Sequence, residues 1–403
     1  MGLAVGIDVA KLIHWVVAVD DEGHQVLSRR CENSPAAIAT LIDDLDALTG
    51  QHGPVTVAVD MLGGIASVLT TMLLDSGLNL VHTPGLLINR SRRATPGGER
   101  KSDPADAKVI ADQVRLRAAT GELRRITPVA ETDAALRLLV SRRADLVADR
   151  TRRLARLRDL LTSINPGLER AVDPTTKSSL WLLSRFVTAD EIRRAGLDGL
   201  TTHMRELPRL SRRTATKLID AALAAAAAQH VQVPGESVAA DILRELAGEI
   251  TTMGNRITAI ETQIAQAMDA HPDGTLVRSL PGMGTTLAAE FLAAAGGLER
   301  FPTPGALASA AGLAPVLQQS GKMNYLRRSY AGNRALKRVF YQSAFCALQH
   351  DQLSRAFYDR KRKEGKRHHQ ALIALARRRI NVLHAMLRTR TEFHAPTTGL
   401  TAA

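Results

Sequence analysis

The sequence is poor in cysteine, and it has no long apolar run. Its 403 residues include two cysteines, Cys31 and Cys346, which are far apart and in no metal-ligand spacing. This count excludes a disulfide framework and favours a reducing cytoplasm. No apolar run reaches the roughly 18 residues that a membrane span needs, and no basic leader precedes an apolar stretch at the N-terminus. We therefore expect no membrane partner and no secretion signal.

Aromatic residues are also scarce, at 3% of the chain, whereas basic residues are abundant. Lys and Arg number 53 against 40 Asp and Glu, which gives a net charge of +13 and a pI of about 10.3. Such an excess, clustered as it is here, indicates a nucleic-acid partner rather than a merely basic protein. With few rings for bases to stack on, phosphate contacts should dominate, and binding should weaken with salt. We expect a bacterial cytoplasmic protein associated with the nucleoid.

Residues 1–125 alternate between strand and helix patterns. Predicted strands cover 3–8, 14–19, 25–28, 55–59 and 78–82. Predicted helices cover 35–48 and 65–74. Three strands in a meander, followed by helix, strand, helix and strand, is the order of a ribonuclease-H-like α/β fold. In that order Asp8 and Asp60 each close a strand, so we expect them to lie side by side.

A basic segment and a helix start follow these strands. The segment is predicted to be a loop that stays mobile until it meets a ligand, and its basic residues are Arg90, Arg92, Arg93, Arg100 and Lys101. Next, Asp103, Pro104 and Asp106 form an ordinary helix start, with Asp103 as the N-cap. The same geometry points carboxylates at a metal held by Asp8 and Asp60. Either Asp103 caps while Asp106 binds the metal, or both acids bind it.

The middle of the chain is predicted to contain two long helices, at 131–165 and 236–270. Apolar residues recur in heptad-like steps from Leu136 to Ile164, with Val147 among them, and from Ile242 to Met268. This pattern is typical of a coiled-coil seam, formed by the two helices together or with another subunit. Such a seam is long enough to build a homodimer or a tetramer.

Eight arginines lie between positions 137 and 158, and two of them fall on the predicted seam. A run of this kind is usually a solvated charged face. Because acids are scarce here, we predict contact with a nucleic-acid backbone, and the alternative is a device that fixes the register of the helices. The candidates are Arg142, Arg143, Arg150 and Arg153.

The C-terminal part contains a glycine-rich turn and a candidate serine. The turn Pro281-Gly282-Met283-Gly284 resembles the hairpin of helix-hairpin-helix modules, whose glycines let amides approach a phosphate, although any tight helix connection can use such glycines. Ser320 lies in a predicted flexible loop, where a serine beside glycine forms a turn far more often than it acts as a nucleophile. Basic residues predicted to bind nucleic acid here are Lys322, Arg327, Arg328, Arg334 and Lys337.

The breaks in these patterns predict three domains and a tail. An α/β domain covers 1–125, and a helical coiled-coil region for oligomerisation and nucleic-acid contact covers 126–272. A mainly α-helical domain covers 273–392, and its boundary falls in the Pro- and Gly-containing segment 271–274. A disordered tail covers 393–403.

Several motifs, in their joint order and spacing, resemble one protein family. Those of the N-terminal part are Gly6-Ile7-Asp8-Val9-Ala10-Lys11, Val59-Asp60 with Gly63-Gly64, and Lys101-Ser102-Asp103-Pro104-Ala105-Asp106-Ala107. They are similar to the N-terminal domain of the DEDD transposases of the insertion-sequence "one-ten" family, which includes the Piv-type invertases. Motifs similar to the C-terminal transposase domain of that family are Pro281-Gly282-Met283-Gly284, Ala311-Gly312-Leu313-Ala314-Pro315 and Gln319-Ser320-Gly321-Lys322.

The resemblance implies a RuvC-like domain with four metal-binding acids and a C-terminal domain with a catalytic serine. Carried over residue by residue, the catalytic residues are Asp8, Asp60, Asp103, Asp106 and the nucleophile Ser320. One departure is that the second acid is typically Glu, so Asp60 reaches one methylene less far. Some members of the family are guided by a bridge RNA encoded with the element. The implied partners are therefore DNA and a guide RNA.

The expected activity is that of a transposase or recombinase that cleaves and exchanges DNA strands. Four carboxylates without His or Cys suit Mg²⁺, and two ions would act on the scissile phosphate. The resemblance implies a covalent ester between Ser320 and DNA, with the serine brought from far along the chain or from another subunit. One alternative is a hydrolytic RuvC-like Holliday-junction nuclease without a covalent intermediate. The other is a nucleic-acid-binding protein without catalysis.

Overall fold

The protein is built as two units, each with its own hydrophobic cores. The computed structural model describes residues 2–94, 102–117, 120, 123–321, 323–327, 329 and 331–395. Unit 1 covers Met1–Val129 and unit 2 covers Ala130–Ala403. The first predicted domain ends close to this boundary, and the predicted regions 126–272 and 273–392 fall almost entirely within unit 2. Of the predicted disordered tail, residues 396–403 lie outside the described residues. No helix in these described ranges is long and apolar enough to cross a membrane.

Unit 1 is a mixed β-sheet with helices on both faces. Its elements are β1 (Leu3–Asp8), β2 (Ile13–Val19), β3 (Gln25–Glu32), α1 (Pro35–His52), β4 (Val55–Val59), α2 (Ser67–Asp75), β5 (Asn79–His82), α3 (Gly85–Arg93), α4 (Asp103–Arg117) and β6 (Arg124–Arg125). The strand order is β3-β2-β1-β4-β5-β6, with β1, β4 and β5 mutually parallel. This confirms the ribonuclease-H-like order.

Two predictions about unit 1 were wrong in detail. Strand β3 extends beyond the predicted 25–28, because it stays paired with β2 as far as the Ile13–Glu32 pair. The basic segment was predicted to be a loop, but its first part is the helix α3. This helix forms because Ile88 is buried against α4 and the sheet. Residues 95–101 lie outside the described residues, and they include Arg100 and Lys101, which were predicted to contact nucleic acid.

Alternate residues of the central strand β1 face two different cores. Leu3, Val5 and Ile7 pack in the core with α1 and α2. Ala4 packs in the core with α3 and α4. Because successive side chains of a strand point to opposite faces, Asp8 falls on the same face as Ala4, under α4.

Glycine at position 6 lets α4 lie directly on β1. A Cβ atom on Gly6 would be 2.2 Å from the carbonyl oxygen of Ala107 and 2.4 Å from the nitrogen of Ala111. Helix α4 runs antiparallel to β1, since Arg115 near its end donates to the carbonyl of Asp21, in the turn between β2 and β3. The start of α4 therefore lies at the carboxyl end of β1.

Unit 2 is almost entirely helical, as predicted. Its elements are α5 (Glu131–Ile164), α6 (Pro166–Ala171), α7 (Lys177–Leu183), α8 (Ala189–Arg205), α9 (Arg212–Ala228), α10 (Glu236–Ala270), α11 (Gly274–Ser279), α12 (Thr285–Ala295), α13 (Pro304–Ala310), β7 (Val316–Ser320), β8 (Met323–Arg327), α14 (Arg334–His350), α15 (Gln352–Lys363) and α16 (His368–Thr389). The strands β7 and β8 form an antiparallel hairpin.

The two long helices, α5 and α10, pair with each other in the same chain. Arg143 of α5 contacts Glu261 of α10 at 2.7 Å. Further along α5, Arg153 contacts Glu249. The partners move backward along α10 as they move forward along α5, so the helices are antiparallel. The predicted seam is thus used inside one chain and gives no support to the subunit pairing that was its alternative.

The seam differs from the prediction by one residue at two places. Val147 and Ile242 are exposed, at 38% and 39%, and the neighbouring Leu146 and Leu243 are buried instead. A straight α-helix has 3.6 residues per turn, so a strict heptad pattern drifts off the buried face. One core packs α6 to α9 against one end of this helical pair. The other packs α11 to α16 against the opposite end.

We expect Gly6→Ala to lower the free energy of unfolding by about 1–3 kcal/mol, because its methyl group overpacks the contact between β1 and α4. Gly50→Ala in α1 is the matched control. A Cβ atom there would meet nothing within 4 Å, and alanine is preferred to glycine inside a helix. Chemical denaturation followed by circular dichroism measures both variants. Equal stability of the two would contradict the close contact at Gly6.

Candidate functional site

Asp8 and Asp60 lie side by side at the carboxyl edge of the sheet. Ile7 and Val59 are partners in the parallel pairing of β1 and β4, and each acid is the next residue along its chain. The Oδ1 atom of Asp60 accepts the backbone N–H of Val9 at 3.3 Å, which ties the two strand ends together. Both acids alternate with residues of the α1–α2 core, so both fall on the α4 face.

Asp106 joins this edge from the first turn of α4. Its residue is 6% exposed, and Arg92 of α3 donates to both of its carboxylate oxygens, at 2.8 and 2.9 Å. Burial raises the pKa of the Asp60 carboxyl, and the nearby charge of Asp106 adds to the rise. Arg92 was predicted to contact nucleic acid, but in this structure its guanidinium is engaged by an acid of the candidate site.

Asp103 is the first residue of α4, and its side chain is exposed. The carbonyl of Ser102 accepts the N–H of Asp106 at 2.9 Å, which makes Ser102 the N-cap. The prediction of Asp103 as N-cap was therefore wrong by one residue. Asp103 precedes Asp106 by one helical turn, so both face the same side of α4. Its role as a metal ligand stays a prediction.

Two histidines that no motif singled out support these acids. The Nε2 atom of His82 lies 3.2 Å from the carbonyl oxygen of Asp60. His14 is buried, burial lowers its pKa, and its neutral Nδ1 accepts the N–H of Ala10 at 3.2 Å in the loop after Asp8. His82 had one signal in the sequence, because it closes the third parallel strand as the two acids close theirs.

The donor set fits a hard divalent cation, because every candidate ligand is a carboxylate. Asp106 would exchange its contacts with Arg92 for contacts with the ion. The positive end of the α4 dipole lies beside the acids and offsets part of their charge. Elsewhere in the described ranges, the ligand atoms of Asp20, Glu22 and His24 lie within 4.8 Å of one another. Those residues occupy a turn at the other end of β1, away from the candidate site.

Ser320 lies in unit 2, exposed at the tip of the β7–β8 hairpin. It pairs with Met323 across the turn, so the prediction of a flexible loop was wrong. Gly321 has a φ of 54°, a left-handed conformation that glycine adopts readily, and it allows the chain to reverse in two residues. Lys322 lies outside the described residues.

The base of the hairpin is fixed where two glycines touch. Gly332 has a φ of 113°, and a Cβ atom there would be 2.7 Å from the nitrogen of Gly312. A Cβ atom on Gly312 would be 2.6 Å from the carbonyl oxygen of Ala331. The N–H of Asn333 donates to the carbonyl of Ala310 at 2.6 Å, and its side chain caps α14. Ser320 is therefore presented by a hairpin with an anchored base.

The turn Pro281-Gly282-Met283-Gly284 packs inside unit 2. A Cβ atom on Gly282 would be 2.7 Å from the carbonyl oxygen of Ser343 and from the nitrogen of Ala347. The buried Arg379 donates to the carbonyl of Pro281 and to Ser343 Oγ at 2.8 Å. Burial lowers the pKa of Arg379 to about 10, which leaves it charged at neutral pH. The glycine thus serves the approach of α14, whereas the helix-hairpin-helix likeness predicted the approach of a phosphate.

The predicted nucleic-acid contacts divide into outward-facing and internally paired residues. Arg143 and Arg153 pair with acids of α10, and Arg150 donates to the carbonyl of Thr175 at 3.1 Å. These contacts are the ones expected of the alternative, a device that fixes helix register. Lys337 is half-buried, and the exposed candidates are Arg90, Arg93, Arg142, Arg327 and Arg334. Candidates outside the described residues are Arg100, Lys101, Lys322 and Arg328.

The strand order of unit 1, with acids at the carboxyl edge, defines a RuvC-like domain followed by a mainly helical remainder. A family model described as "Transposase" matches residues 5–166, and one described as "Transposase IS116/IS110/IS902 family" matches residues 274–359. The chain is 41% identical to the 44.8 kDa protein of insertion element IS116 from Streptomyces clavuligerus, over 96% of this chain and 95% of that protein. It is 39% identical to the 42 kDa protein of IS900 from Mycobacterium paratuberculosis, over 98% of both. The chain belongs to the IS116/IS110/IS902 family of transposases.

More distant similarities cover only part of the chain. The pilin gene-inverting protein of Moraxella bovis is 28% identical over 144 residues, which are 34% of this chain and 45% of that protein. T. thermophilus RuvC in complex with a Holliday junction substrate aligns with 31% of this chain and 100% of RuvC, at 13% identity and a TM-score of 0.26. A TM-score this low adds nothing to the strand order, on which the fold assignment rests.

Asp60→Asn should raise the melting temperature at pH 7 in the presence of a chelator. Because burial raises the pKa of the Asp60 carboxyl, the folded state binds this proton more tightly than the unfolded chain does. Ionisation therefore costs stability as the pH rises through the carboxyl range, and asparagine removes that cost. The advantage should shrink as the pH falls toward about 4.

Thermal melts of the wild type and the variant across this pH range measure the effect. Asp46→Asn, at an exposed position of α1, is the control, and it should change the melting temperature little. A melting temperature of Asp60→Asn below that of the wild type at pH 7 would contradict the raised pKa.

Proposed function

We propose that the protein is the transposase of an insertion sequence, and that it cuts and rejoins DNA through a covalent serine ester. The observation that carries this proposal is the placement of Ser320, exposed at the tip of a hairpin with an anchored base. Family membership supports DNA as the substrate. The pilin gene-inverting relative supports recombination as the outcome, because inversion needs strands to be rejoined.

The acids Asp8, Asp60, Asp103 and Asp106 would hold two Mg²⁺ ions. When bound, such ions polarise the scissile phosphate and stabilise the entering and leaving oxygens. The chain contributes placement, because β1 and β4 fix two carboxylates and the first turn of α4 presents the other two. Until an ion binds, Arg92 neutralises Asp106 and so reduces repulsion among the four acids.

The serine supplies the nucleophile. Ser320 Oγ forms an ester bond to the scissile phosphorus while the bond from phosphorus to the deoxyribose oxygen breaks. The proton of the serine hydroxyl ends on that leaving oxygen, directly or through solvent. One phosphodiester replaces another, so the bond energy is conserved and the strand can be rejoined to a different end. A hydrolytic nuclease would release the phosphate with no such intermediate.

We also propose a structured guide RNA as a partner, with a homodimer or tetramer as the working assembly. The net charge of +13 and the exposed arginines on both units support a nucleic-acid partner. Since the long helical seam is used within the chain, subunits would meet through another surface. Sequencing of the nucleic acid that copurifies, with light scattering of the purified complex, tests both points. A protein that copurifies with no discrete RNA and stays monomeric on DNA would argue against this part of the proposal.

Ser320→Ala should abolish any detergent-resistant protein–DNA adduct while DNA binding stays within about twofold, because one exposed hydroxyl contributes little to phosphate binding. Denaturing gels of the protein incubated with labelled element ends and Mg²⁺ measure the adduct. Ser309→Ala, on exposed α13 surface, is the matched control and should keep it. An adduct that persists in Ser320→Ala would remove this serine from its role. Cleaved DNA without an adduct in the wild type would favour the hydrolytic nuclease.

Asp8→Ala should lower the cleavage rate by roughly a hundredfold or more, because a metal ligand is lost, while DNA binding is retained. Asp20→Ala is the informative control, since Asp20 belongs to the other acidic cluster. Cleavage assays over a Mg²⁺ titration measure both variants. Full cleavage by Asp8→Ala, or its loss only in Asp20→Ala, would refute the metal site at the sheet edge.

A further inference from the structure

A cavity of about 740 Å³ opens in unit 2 beside the base of the β7–β8 hairpin. Residues of two helices line it, together with the segment from Gly312 to Pro315, which leads into β7, and Ser329. The lining residues of each helix are spaced by three and four, so each wall is a single helix face. The wall of α14 is formed by Arg334, Lys337, Arg338 and Tyr341. The wall of α16 is formed by His369, Gln370, Ile373, Ala374 and Arg377.

The cavity combines an apolar surface with positive charge. Leu313, Pro315 and Ile373 line it together with four basic side chains, and the described lining residues include no Asp or Glu. Two of the four cations are already engaged, since Arg338 pairs with Glu290 and Arg377 donates to Asn381 at 2.7 Å. The other two cations are Arg334 and Lys337, and neither has an acidic partner within the described ranges.

We infer that this cavity binds one nucleotide unit of a DNA strand, with its base and sugar on the apolar wall and its phosphate at Arg334 and Lys337. The volume lies within the range of about 300–1,000 Å³ for small-ligand sites. An uncharged apolar ligand would leave the charges of Arg334 and Lys337 without an anionic partner. A simple anion would leave the apolar wall uncovered. A nucleotide satisfies both surfaces, and a transposase meets it in DNA.

The cavity is one hairpin length away from Ser320. A strand of five residues spans about 17 Å at about 3.3 Å per residue, and the contact between Gly312 and Gly332 fixes where the hairpin starts. The bound nucleotide is therefore remote from the attacked phosphate. The cavity acts as an anchor that sets the register of the strand relative to the serine. This inference depends on DNA as the substrate and not on Ser320 as the nucleophile.

Fluorescence anisotropy of the full-length protein with a labelled oligodeoxythymidylate of about ten nucleotides tests the inference. Ala374→Phe fills the cavity without changing its charge and should weaken binding by at least about fivefold. Ala374→Leu fills less of it and should give a smaller loss, which keeps the test valid where the larger ring prevents folding. Lys337→Ala should weaken binding to a similar extent as the phenylalanine variant.

Arg355→Ala is the matched control, because it removes an exposed positive charge of α15 outside the cavity. It should change binding by less than about twofold. Ser320→Ala should bind the oligodeoxythymidylate like the wild type. The absence of a covalent adduct and the absence of nucleotide binding in the cavity are therefore separate results. Wild-type binding by both Ala374 variants, with weaker binding by Lys337→Ala, would overturn the inference and leave a surface phosphate contact. Binding more than about tenfold tighter to an oligouridylate of equal length would overturn the assignment to DNA.

Discussion

The contact between the backbone of β1 at Gly6 and the first turns of α4 is the constraint on which the acidic site depends. Because no side chain separates strand and helix, the start of α4 is held at the carboxyl edge of the sheet. Asp106 then comes close to Asp60. Asp103 is placed by the same contact, because it lies one turn before Asp106 on the same helix. The parallel pairing of β1 with β4 sets the position of Asp8. A bulkier strand residue would move the helix and two of the four acids together.

Some basic side chains of this protein pair with acids or carbonyl groups of the chain, and others are exposed to solvent. Arg92 neutralises a buried acid of unit 1, and Arg379 ties a helix connection of unit 2 to α14 and α16. Arginines of α5 fasten that helix to α10. Such internal arginines suit the planar, multi-donor guanidinium, which keeps its charge when buried. The remaining exposed cations, with the basic side of the cavity near the hairpin, are the surface that we propose for contact with a nucleic-acid backbone. Apart from the ring of Tyr341, the apolar part of the cavity wall is aliphatic, which agrees with the scarcity of Phe, Tyr and Trp in the chain.

Unit 2 fixes the hairpin that carries Ser320 through a close backbone contact between glycines, as unit 1 fixes the start of α4 through Gly6. Gly312 and Gly332 touch at the base of the hairpin, and Gly321 reverses the chain at its tip. A pair of five-residue strands, β7 and β8, lies between these points. Ser320 is therefore exposed, but its backbone has little freedom to move, because the two strands of the hairpin are paired with each other. Both properties suit the role that we propose for Ser320, that of a nucleophile toward a phosphate on bound DNA.

The sequence by itself determined the order of strands and helices from β1 to β5, the helix α4, the two long helices, and the acids that close β1 and β4, but it predicted neither α3 nor β6. These features follow from periodicity and from strand ends, which are local properties of the chain. It also marked Ser320, although only through resemblance to a family. Tertiary structure alone decided where the charges go, because Arg143 meets an acid 118 residues away and Arg92 meets Asp106 only after α3 packs on α4. It also decided that the seam is internal, that the loop around Ser320 is a hairpin, and that faces of α14 and α16 enclose a cavity. Each of these depends on surfaces brought together from distant segments, and no local pattern records such a meeting.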